Sequence, residues 1–242
     1  MIHLAARAGV RPSIEQPLLY ERVNGQGTVR LLELSREFKV SRFIFGSSSS
    51  VYGATNRLPF TEDDPTLHPI SPYAATKLAG ELMCYTYAHL YRLPNVCLRF
   101  FTVYGPRQRP DLAIHKFTAL MEAGQAIPVF GDGSTGRDYT YVEDIVAGVR
   151  AALDYSLPTD KPPHEVFNLG NSAPVTLNEL IENLEAATGR RANRSELPAQ
   201  PGDVPLTWAS IEQAARLLRY RPGTPLQRGL AKFVAWYREN RS

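Results

Sequence analysis

The stretch SRFIFGSSSSVYG, residues 41–53, decides the fold. Its apolar part, Arg42 to Phe45, predicts a strand, and this strand leads directly into four serines. Polar residues at the end of a buried strand are typical of the ligand-binding edge of a parallel α/β sheet, because ligands bind at the carboxyl ends of such strands. The segment therefore predicts a sheet whose functional residues lie just after its strands.

Further strands and helices alternate on both sides of this segment, which predicts an α/β protein with a doubly wound parallel sheet. The near-continuous apolar character of NVCLRFF fits a strand that is buried on both faces. Beside Arg42 to Phe45, the predicted strands are Met1 to Leu4, Asn95 to Phe101, Ile127 to Phe130 and a strand from Val166. The predicted helices are Val23 to Phe38, Tyr73 to Tyr91, His115 to Ala123, Glu143 to Ala152, Leu177 to Thr188, Ile211 to Leu218 and Pro225 to Arg238.

The helix from Tyr73 to Tyr91 is the longest of these, and its apolar spacing predicts which side faces inward. That side is expected to carry Leu78, Leu82, Tyr85, His89 and Leu90.

Composition excludes several classes of protein. The net charge of +3 is too mild, and too evenly spread, to indicate a nucleic-acid-binding protein. No run approaches the roughly 18 apolar residues of a membrane span, so no membrane contact is predicted. Cys84 and Cys97 both lie in apolar runs, which predicts buried thiols rather than a disulfide or a metal site. A cytoplasmic, reducing environment is therefore expected.

The sequence YAATK places Tyr73 and Lys77 four residues apart at a helix start, and hence on one helix face. There the Lys77 ammonium would stabilise the phenolate and lower the pKa of Tyr73, which turns a poor base into a usable one. A serine from the neighbouring strand end could share the proton and orient the substrate's oxygen. A chance Tyr–Lys pairing and a solvated serine loop are the alternatives, but both features in this order favour catalysis.

Taken in order, the serines, YAATK, LRFFTVYGPRQRPD, FGDGSTGRDYTYVEDI, FNLGN and QPGDVP resemble the extended short-chain dehydrogenase/reductase family. Within it, the sequence is most similar to nucleotide-sugar 4-epimerases of the UDP-glucuronate type, over essentially the whole chain. The resemblance implies NAD-dependent 4-epimerisation of a UDP-hexose, most of all UDP-glucuronate and UDP-galacturonate, through a transient 4-keto sugar. GDGSTG, residues 131–136, formally fits a dinucleotide fingerprint, but the extended RDYTYV that follows argues against a dinucleotide site there.

The resemblance implies a catalytic role for three residues. Tyr73 would be the base that takes the proton of the sugar 4-hydroxyl, Lys77 would bind the nicotinamide ribose, and Ser48 matches the catalytic serine. For NAD, the resemblance implies that Leu4, Ala5 and Ala6 line the cofactor, with Tyr73 and Lys77 at its nicotinamide end. Asn24 is expected to be structural or close to the nicotinamide.

The resemblance also implies a set of substrate-binding residues and no metal. Ser49 and Ser50 would contact the sugar ring, and Thr102 would contact the sugar or its phosphates. Arg137 would pair with the diphosphate, Arg109 with the sugar carboxylate and Asp203 with the uridine ribose. Gln200 stands where galactose-type enzymes carry an arginine. For Arg109, an exposed loop arginine without a ligand remains the alternative. Ser49 and Ser50 stand where the family's dehydratases carry acidic residues for elimination, and serines cannot do that proton transfer, which favours epimerisation.

The resemblance further implies a truncated Rossmann-like sheet with a smaller α/β substrate-binding lobe. The first part would comprise residues 1–104 and 139–170, the lobe 105–138 and 171–242. The family's glycine-rich turn would precede Met1, within on the order of 70–80 further residues, so NAD binding by this chain is expected to be weakened. An active epimerase, a non-catalytic nucleotide-sugar-binding remnant and a longer natural protein remain open. A homodimer or higher homo-oligomer, formed through the Tyr73 helix and the preceding one, is expected.

Overall fold

The computed structural model describes residues 1–54, 57–198 and 204–240. The chain forms two compact units. The first comprises Met1–Phe101, Ala147–Leu169 and Ala209–Tyr220, and the second comprises Thr102–Val146, Gly170–Trp208 and Arg221–Ser242.

Strands, singly or in pairs, alternate with one or more helices along the described chain. The strands are β1 (Ile2–His3), β2 (Phe43–Ser48), β3 (Asn95–Phe100), β4 (Thr102–Tyr104), β5 (Ile127–Phe130), β6 (Gly136–Tyr141), β7 (His164–Leu169), β8 (Pro174–Thr176) and β9 (Arg194–Leu197). The helices are α1 (Val10–Glu15), α2 (Pro17–Tyr20), α3 (Gly27–Glu37), α4 (Pro72–Tyr91), α5 (Ala113–Glu122), α6 (Val142–Asp154), α7 (Leu177–Thr188), α8 (Glu212–Leu217) and α9 (Leu226–Glu239). A π-helical turn, Glu21–Gln26, precedes α3, and a 3₁₀ turn, Ser49–Tyr52, follows β2.

The first unit contains a parallel sheet in the order β1-β2-β3-β7. All six residues of β2 are buried, as expected for a strand covered on both faces. The register aligns Ser47 with Arg99 and Arg99 with Asn168, so three polar residues lie side by side near the carboxyl end of the sheet. The α/β fold with a parallel sheet, predicted from the sequence, is confirmed.

Helix α4 begins with a favourable cap and buries a face of small side chains. The Ser71 hydroxyl accepts a hydrogen bond from Ala74 N at 3.1 Å, and Pro72 occupies the first turn, where its missing N–H costs nothing. Gly80 lies directly on the Phe45 ring, which a Cβ at this position would overlap. Close approach of the helix to the sheet therefore depends on this glycine.

The predicted inward side of α4 is wrong for most of its residues. Leu82 and Leu90 are 61% and 60% exposed, and Tyr85 and His89 are also exposed. The buried face instead carries Ala74, Lys77, Gly80, Glu81, Cys84 and Ala88. Small side chains let the helix pack closely on the sheet, and periodicity based on large apolar residues misses them.

The second unit has two small sheets around one apolar core. Strands β4 and β6 pair in parallel and β8 joins β6 antiparallel, while β5 and β9 form a separate parallel pair. The core is built from buried residues of the strands and of helices α5, α7 and α9, including Tyr104, Phe117, Leu180, Leu230 and Phe233. The segment RDYTYV lies in β6 and continues into α6, so the glycines of residues 131–136 precede a strand, not a helix.

The two compact units differ from the sequence-based division at residues 102–104, 139–146, 170 and 209–220. Residues 139–146 belong to the second unit, where β6 pairs with β4 and β8. Residues 209–220 belong to the first, where Gln213 Nε2 donates to Val166 O at 3.0 Å. The ligand-binding roles inferred for each part stay predictions.

None of the helices in the described ranges is both long enough and apolar enough to span a bilayer.

Candidate active site

Lys77 reaches from helix α4 to the carboxyl end of strand β2. Its ammonium donates a hydrogen bond to the Gly46 carbonyl at 2.5 Å, and the residue is only 5% exposed. Ser47 and Ser48 follow Gly46 directly and end the strand. The structure thus brings the lysine of YAATK to the strand end that carries the serines.

The surroundings of Lys77 weaken its hold on a proton. Burial lowers the pKa of Lys77 to about 8, although the neighbouring Cys97 and Glu81 oppose the shift. In the opposite direction, the ammonium lies 5.1 Å from the centre of the Phe45 ring, a contact that favours the charged form. A positive charge so poorly screened by water stabilises a developing phenolate strongly.

Tyr73 stands one turn before Lys77, in the first turn of α4, and is half-buried. Its ring meets the ring of Tyr20 edge-on, with centroids 6.3 Å apart. Tyr20 is itself buried, and its hydroxyl donates to Ala8 O at 2.9 Å. Tyr20 therefore links the catalytic candidate to the segment after β1. Nothing in its sequence context singled it out.

The serines form a compact group of hydroxyls at the end of β2. Ser48 is 8% exposed, and its Oγ accepts from Ser50 N and donates to Ser50 Oγ, both at 3.2 Å. Ser49 and Ser50 are half-buried in the 3₁₀ turn that this cap begins. The cap fixes the position of the Ser48 hydroxyl while its neighbours stay accessible to a ligand.

The segment after β1 offers an accessible edge beside this group. Leu4 and Ala5 are exposed and Ala6 is half-buried. Because β1 and β2 are parallel, these residues lie at the same end of the sheet as the serines. The small side chains of Ala5 and Ala6 at this edge leave room for a flat ligand.

Asn24 holds this segment in place. Its amide accepts from Arg7 N at 2.8 Å and donates to Arg7 O at 3.0 Å and to Thr76 Oγ1 at 3.1 Å. These three bonds favour the structural alternative for Asn24 over direct contact with a cofactor.

Three predicted substrate-binding residues lie in the second unit. Thr102 begins β4 and is half-buried. Arg137, in β6, is also half-buried, and its Nη1 donates to the carbonyls of Gly136 and Val204 at 2.8 Å each. Arg109 is exposed and makes a two-pronged ion pair with Asp111, at 3.0 and 2.8 Å. Gln200 and Asp203 fall outside the described residues.

A buried ion pair close to Lys77 was missed by the sequence reasoning. Arg99 of β3 and Glu81 of α4 meet at 2.8 Å, and the side chains are 6% exposed. The one available signal was an arginine inside the apolar run NVCLRFF. Where the chain is described, no group of three or more His, Cys, Asp or Glu could hold a metal ion.

The chain is similar to known epimerases over nearly all of its length. The model of the NAD dependent epimerase/dehydratase family matches residues 1–170. A UDP-glucuronate 4-epimerase of Thermodesulfobacterium geofontis is 44% identical, over 99% of this chain and 72% of that protein. Protein CapI of Staphylococcus aureus is also 44% identical, over 99% of this chain and 75% of its own length. The solved structure of a UDP-glucuronic acid 4-epimerase from Bacillus cereus, in complex with UDP-glucuronic acid and NAD, superposes with a TM-score of 0.90 at 38% identity, covering 98% of this chain and 75% of that one.

Proposed function

The chain belongs to the NAD dependent epimerase/dehydratase family, and we propose that it interconverts UDP-glucuronate and UDP-galacturonate by epimerisation at C4. The observation that carries this proposal is the buried Lys77 ammonium at the serine-bearing end of β2, one helical turn from Tyr73. The similarity to UDP-glucuronate 4-epimerases supports the choice of substrate.

The residues at the sheet edge fit NAD as the cofactor. Leu4, Ala5 and Ala6 present apolar side chains at accessible positions after β1, and Lys77 presents a cation that would bind the nicotinamide ribose. NAD, when bound, supplies the acceptor and donor of the C4 hydride. Because the same cofactor takes and returns the hydride, it would not be consumed.

The proton transfer falls to Tyr73. Its phenolate would take the proton of the sugar 4-hydroxyl as C4 is oxidised, and return it when C4 is reduced. The nearby Lys77 charge stabilises that phenolate. Ser48, held by the hydrogen bond that its Oγ accepts from Ser50 N, would turn its hydroxyl proton from Ser50 Oγ to the oxygen at C4 and hold that oxygen beside Tyr73. The 4-keto sugar then turns over, and the hydride returns to its other face.

Substrate-binding roles are proposed for residues of each unit. Ser49 and Ser50, in the first unit, would contact the sugar ring. In the second, Thr102 would contact the sugar or its phosphates, Arg137 would pair with the diphosphate, and Arg109 with the sugar carboxylate. Asp203 would pair with the uridine ribose, and Gln200 would bind the substrate at the position where galactose-type enzymes carry an arginine. Elimination is disfavoured because the residues following Ser48 are serines rather than the acidic residues it needs.

We also infer that the chain forms a homodimer through α3 and α4. Helix α4 leaves Leu82 and Leu90 exposed, and at the end of α3 Phe38 is 72% exposed. Large apolar side chains left exposed on two helices that contact each other suit an interaction site, and two equivalent helix pairs could cover each other in a four-helix arrangement. The free, buried thiols of Cys84 and Cys97 are compatible with a reducing compartment, and we place the protein in the cytoplasm.

Product analysis tests the proposed reaction. The chain is incubated with NAD and, in separate reactions, UDP-glucuronate, UDP-glucose and UDP-galactose, and the nucleotide sugars are separated by anion exchange. Conversion of UDP-glucuronate to UDP-galacturonate, well ahead of any conversion of the neutral sugars, supports the proposal. Binding of UDP-sugars without conversion would instead favour a nucleotide-sugar-binding protein.

A further inference from the structure

A buried ion pair connects the helix of Tyr73 and Lys77 to the central strand of the sheet. Arg99 Nε donates to Glu81 Oε1 at 3.0 Å, and Arg99 Nη2 donates to Glu81 Oε2 at 2.8 Å. The two parallel bonds fix both the distance and the orientation of the groups. Glu81 lies one helical turn after Lys77, on the same buried face of α4.

The Glu81–Arg99 pair also contacts β2, the strand that ends in the proposed catalytic serine, Ser48. The Ser47 hydroxyl donates to Glu81 Oε1 at 2.5 Å, and Ser47 immediately precedes Ser48. A single carboxylate therefore contacts β2 through Ser47 and β3 through Arg99 while standing on α4.

The network continues across the sheet to β7. Arg99 Nη1 donates to the Tyr52 hydroxyl at 2.9 Å, and that hydroxyl donates to Asn168 Oδ1 at 2.7 Å. Tyr52 closes the 3₁₀ turn that begins with Ser49. The turn carrying the sugar-binding serines is thus tied to the same arginine.

Stability does not account for this arrangement. Taking two charges out of water carries a desolvation cost that their attraction barely offsets, and apolar residues of similar volume are often as stable or more so. What an apolar pair cannot supply is the directional, two-pronged contact that fixes how far α4 slides along the sheet.

We propose that the Glu81–Arg99 pair is a positioning device that sets α4 against β2, so that Lys77 and Tyr73 meet Ser48. The two residues touch no reacting atom and act through Ser47, Tyr52 and the helix itself. The kinetic consequence rests on the proposed epimerase function, but the placement of Lys77 does not.

The test replaces both charges at once, as Glu81→Leu/Arg99→Met, so that no buried charge is left unpaired. We expect this double variant to keep its melting temperature within a few degrees of the wild type. Lys77 should then be acetylated at least about 10-fold faster by a lysine reagent, read by mass spectrometry. With UDP-glucuronate, kcat should fall about 10- to 100-fold while KM changes less, because Arg137 and Arg109, proposed to bind the diphosphate and the carboxylate, are not altered.

A matched control separates positioning from general loosening of the fold. Asn95, at the amino end of the same strand, makes buried hydrogen bonds to Cys84 O and Leu93 O and a partly buried one to His164. Asn95→Ala should lower the melting temperature, yet leave Lys77 labelling and kcat near wild-type values, because it lies at the opposite end of the sheet.

The outcomes distinguish this inference from the proposed function. Unchanged labelling of Lys77 in the folded double variant overturns the inference, whether or not the chain epimerises UDP-sugars. Should the double variant fail to fold, Arg99→Lys keeps the charge but loses the two-pronged contact, and unchanged labelling there overturns the inference equally. A wild-type chain without epimerase activity contradicts the proposed function alone.

Discussion

The Lys77 ammonium and the Gly46 carbonyl are joined by a hydrogen bond of 2.5 Å. This bond links α4, which carries Tyr73, to the strand that ends in Ser48, and it does so at the carboxyl edge where parallel sheets bind their ligands. Because Lys77 is buried, the bond also replaces part of the hydration that its charge has lost. The proposed chemistry depends on this one contact more than on any other.

Burial of Lys77 predicts a distinctive dependence of stability on pH. Its pKa is lowered by desolvation to about 8, from 10.5 in an unfolded chain. Between these values the unfolded chain binds a proton that the folded chain does not, so the free energy of unfolding rises with pH. Relative to Lys77→Met, the wild type should gain up to about 3 kcal/mol between pH 8 and 10.5, by urea denaturation. Lys116→Met, which removes an exposed lysine of α5, is the control for the loss of one positive charge. If the difference in free energy of unfolding between the wild type and Lys77→Met does not change with pH, the buried placement of Lys77 is contradicted.

Arg109 is predicted to set the preference for an acidic sugar. Arg109→Ala should lower kcat/KM for UDP-glucuronate about 10- to 100-fold, as expected for the loss of a charge-assisted contact, while UDP-glucose turnover changes less than about threefold. Lys116→Ala removes an exposed positive charge from the adjacent α5 and serves as the control. Equal losses for both sugars would show that Arg109 does not contact the carboxylate.

Two glycines should respond in opposite directions to alanine. At Gly80 a Cβ would overlap the Phe45 ring, so Gly80→Ala should lower the free energy of unfolding by about 1–3 kcal/mol. At Gly27, in α3, no neighbouring atom lies within 4 Å of the point that an added methyl group would occupy, and Gly27→Ala should raise stability by about 0.5–1 kcal/mol. Chemical denaturation measures both. Stabilisation by Gly80→Ala would refute the close contact of α4 with the sheet.

The proposed dimer depends on the exposed apolar residues of α3 and α4. Leu82→Glu should convert a dimer to a monomer in light scattering at micromolar concentration, because burying the new carboxylate is costly. Leu67→Glu, at a residue 76% exposed outside these helices, is the matched control and should stay dimeric. A Leu82→Glu protein that remains dimeric would show that the interface does not involve this part of α4.

Local pattern was sufficient for the parallel sheet and for the bounds of α4, since Ser71 and Pro72 mark its start and a strong apolar strand precedes the serines. It failed for the buried face of that helix, because Gly80 and Ala88 carry no hydrophobic signal and owe their burial to Phe45 and the sheet. It also failed for Glu81 and Arg99, since a charged residue is usually exposed and only its partner in another element allows burial. Strands β4, β8 and β9 have three or four residues each, and pairing with distant segments, not local propensity, makes them strands.

The most direct test of the central claim uses UDP-glucuronate with deuterium at C4, with NAD present. If Tyr73, Lys77 and Ser48 support removal and return of a hydride, the UDP-galacturonate formed should retain the deuterium, and Tyr73→Phe should lower its rate of formation by at least about 10²-fold without abolishing UDP-sugar binding. Tyr85→Phe, on the exposed side of the same helix, should keep the wild-type rate. Loss of the deuterium to solvent, or equal rates for the wild type and Tyr73→Phe, would contradict the account.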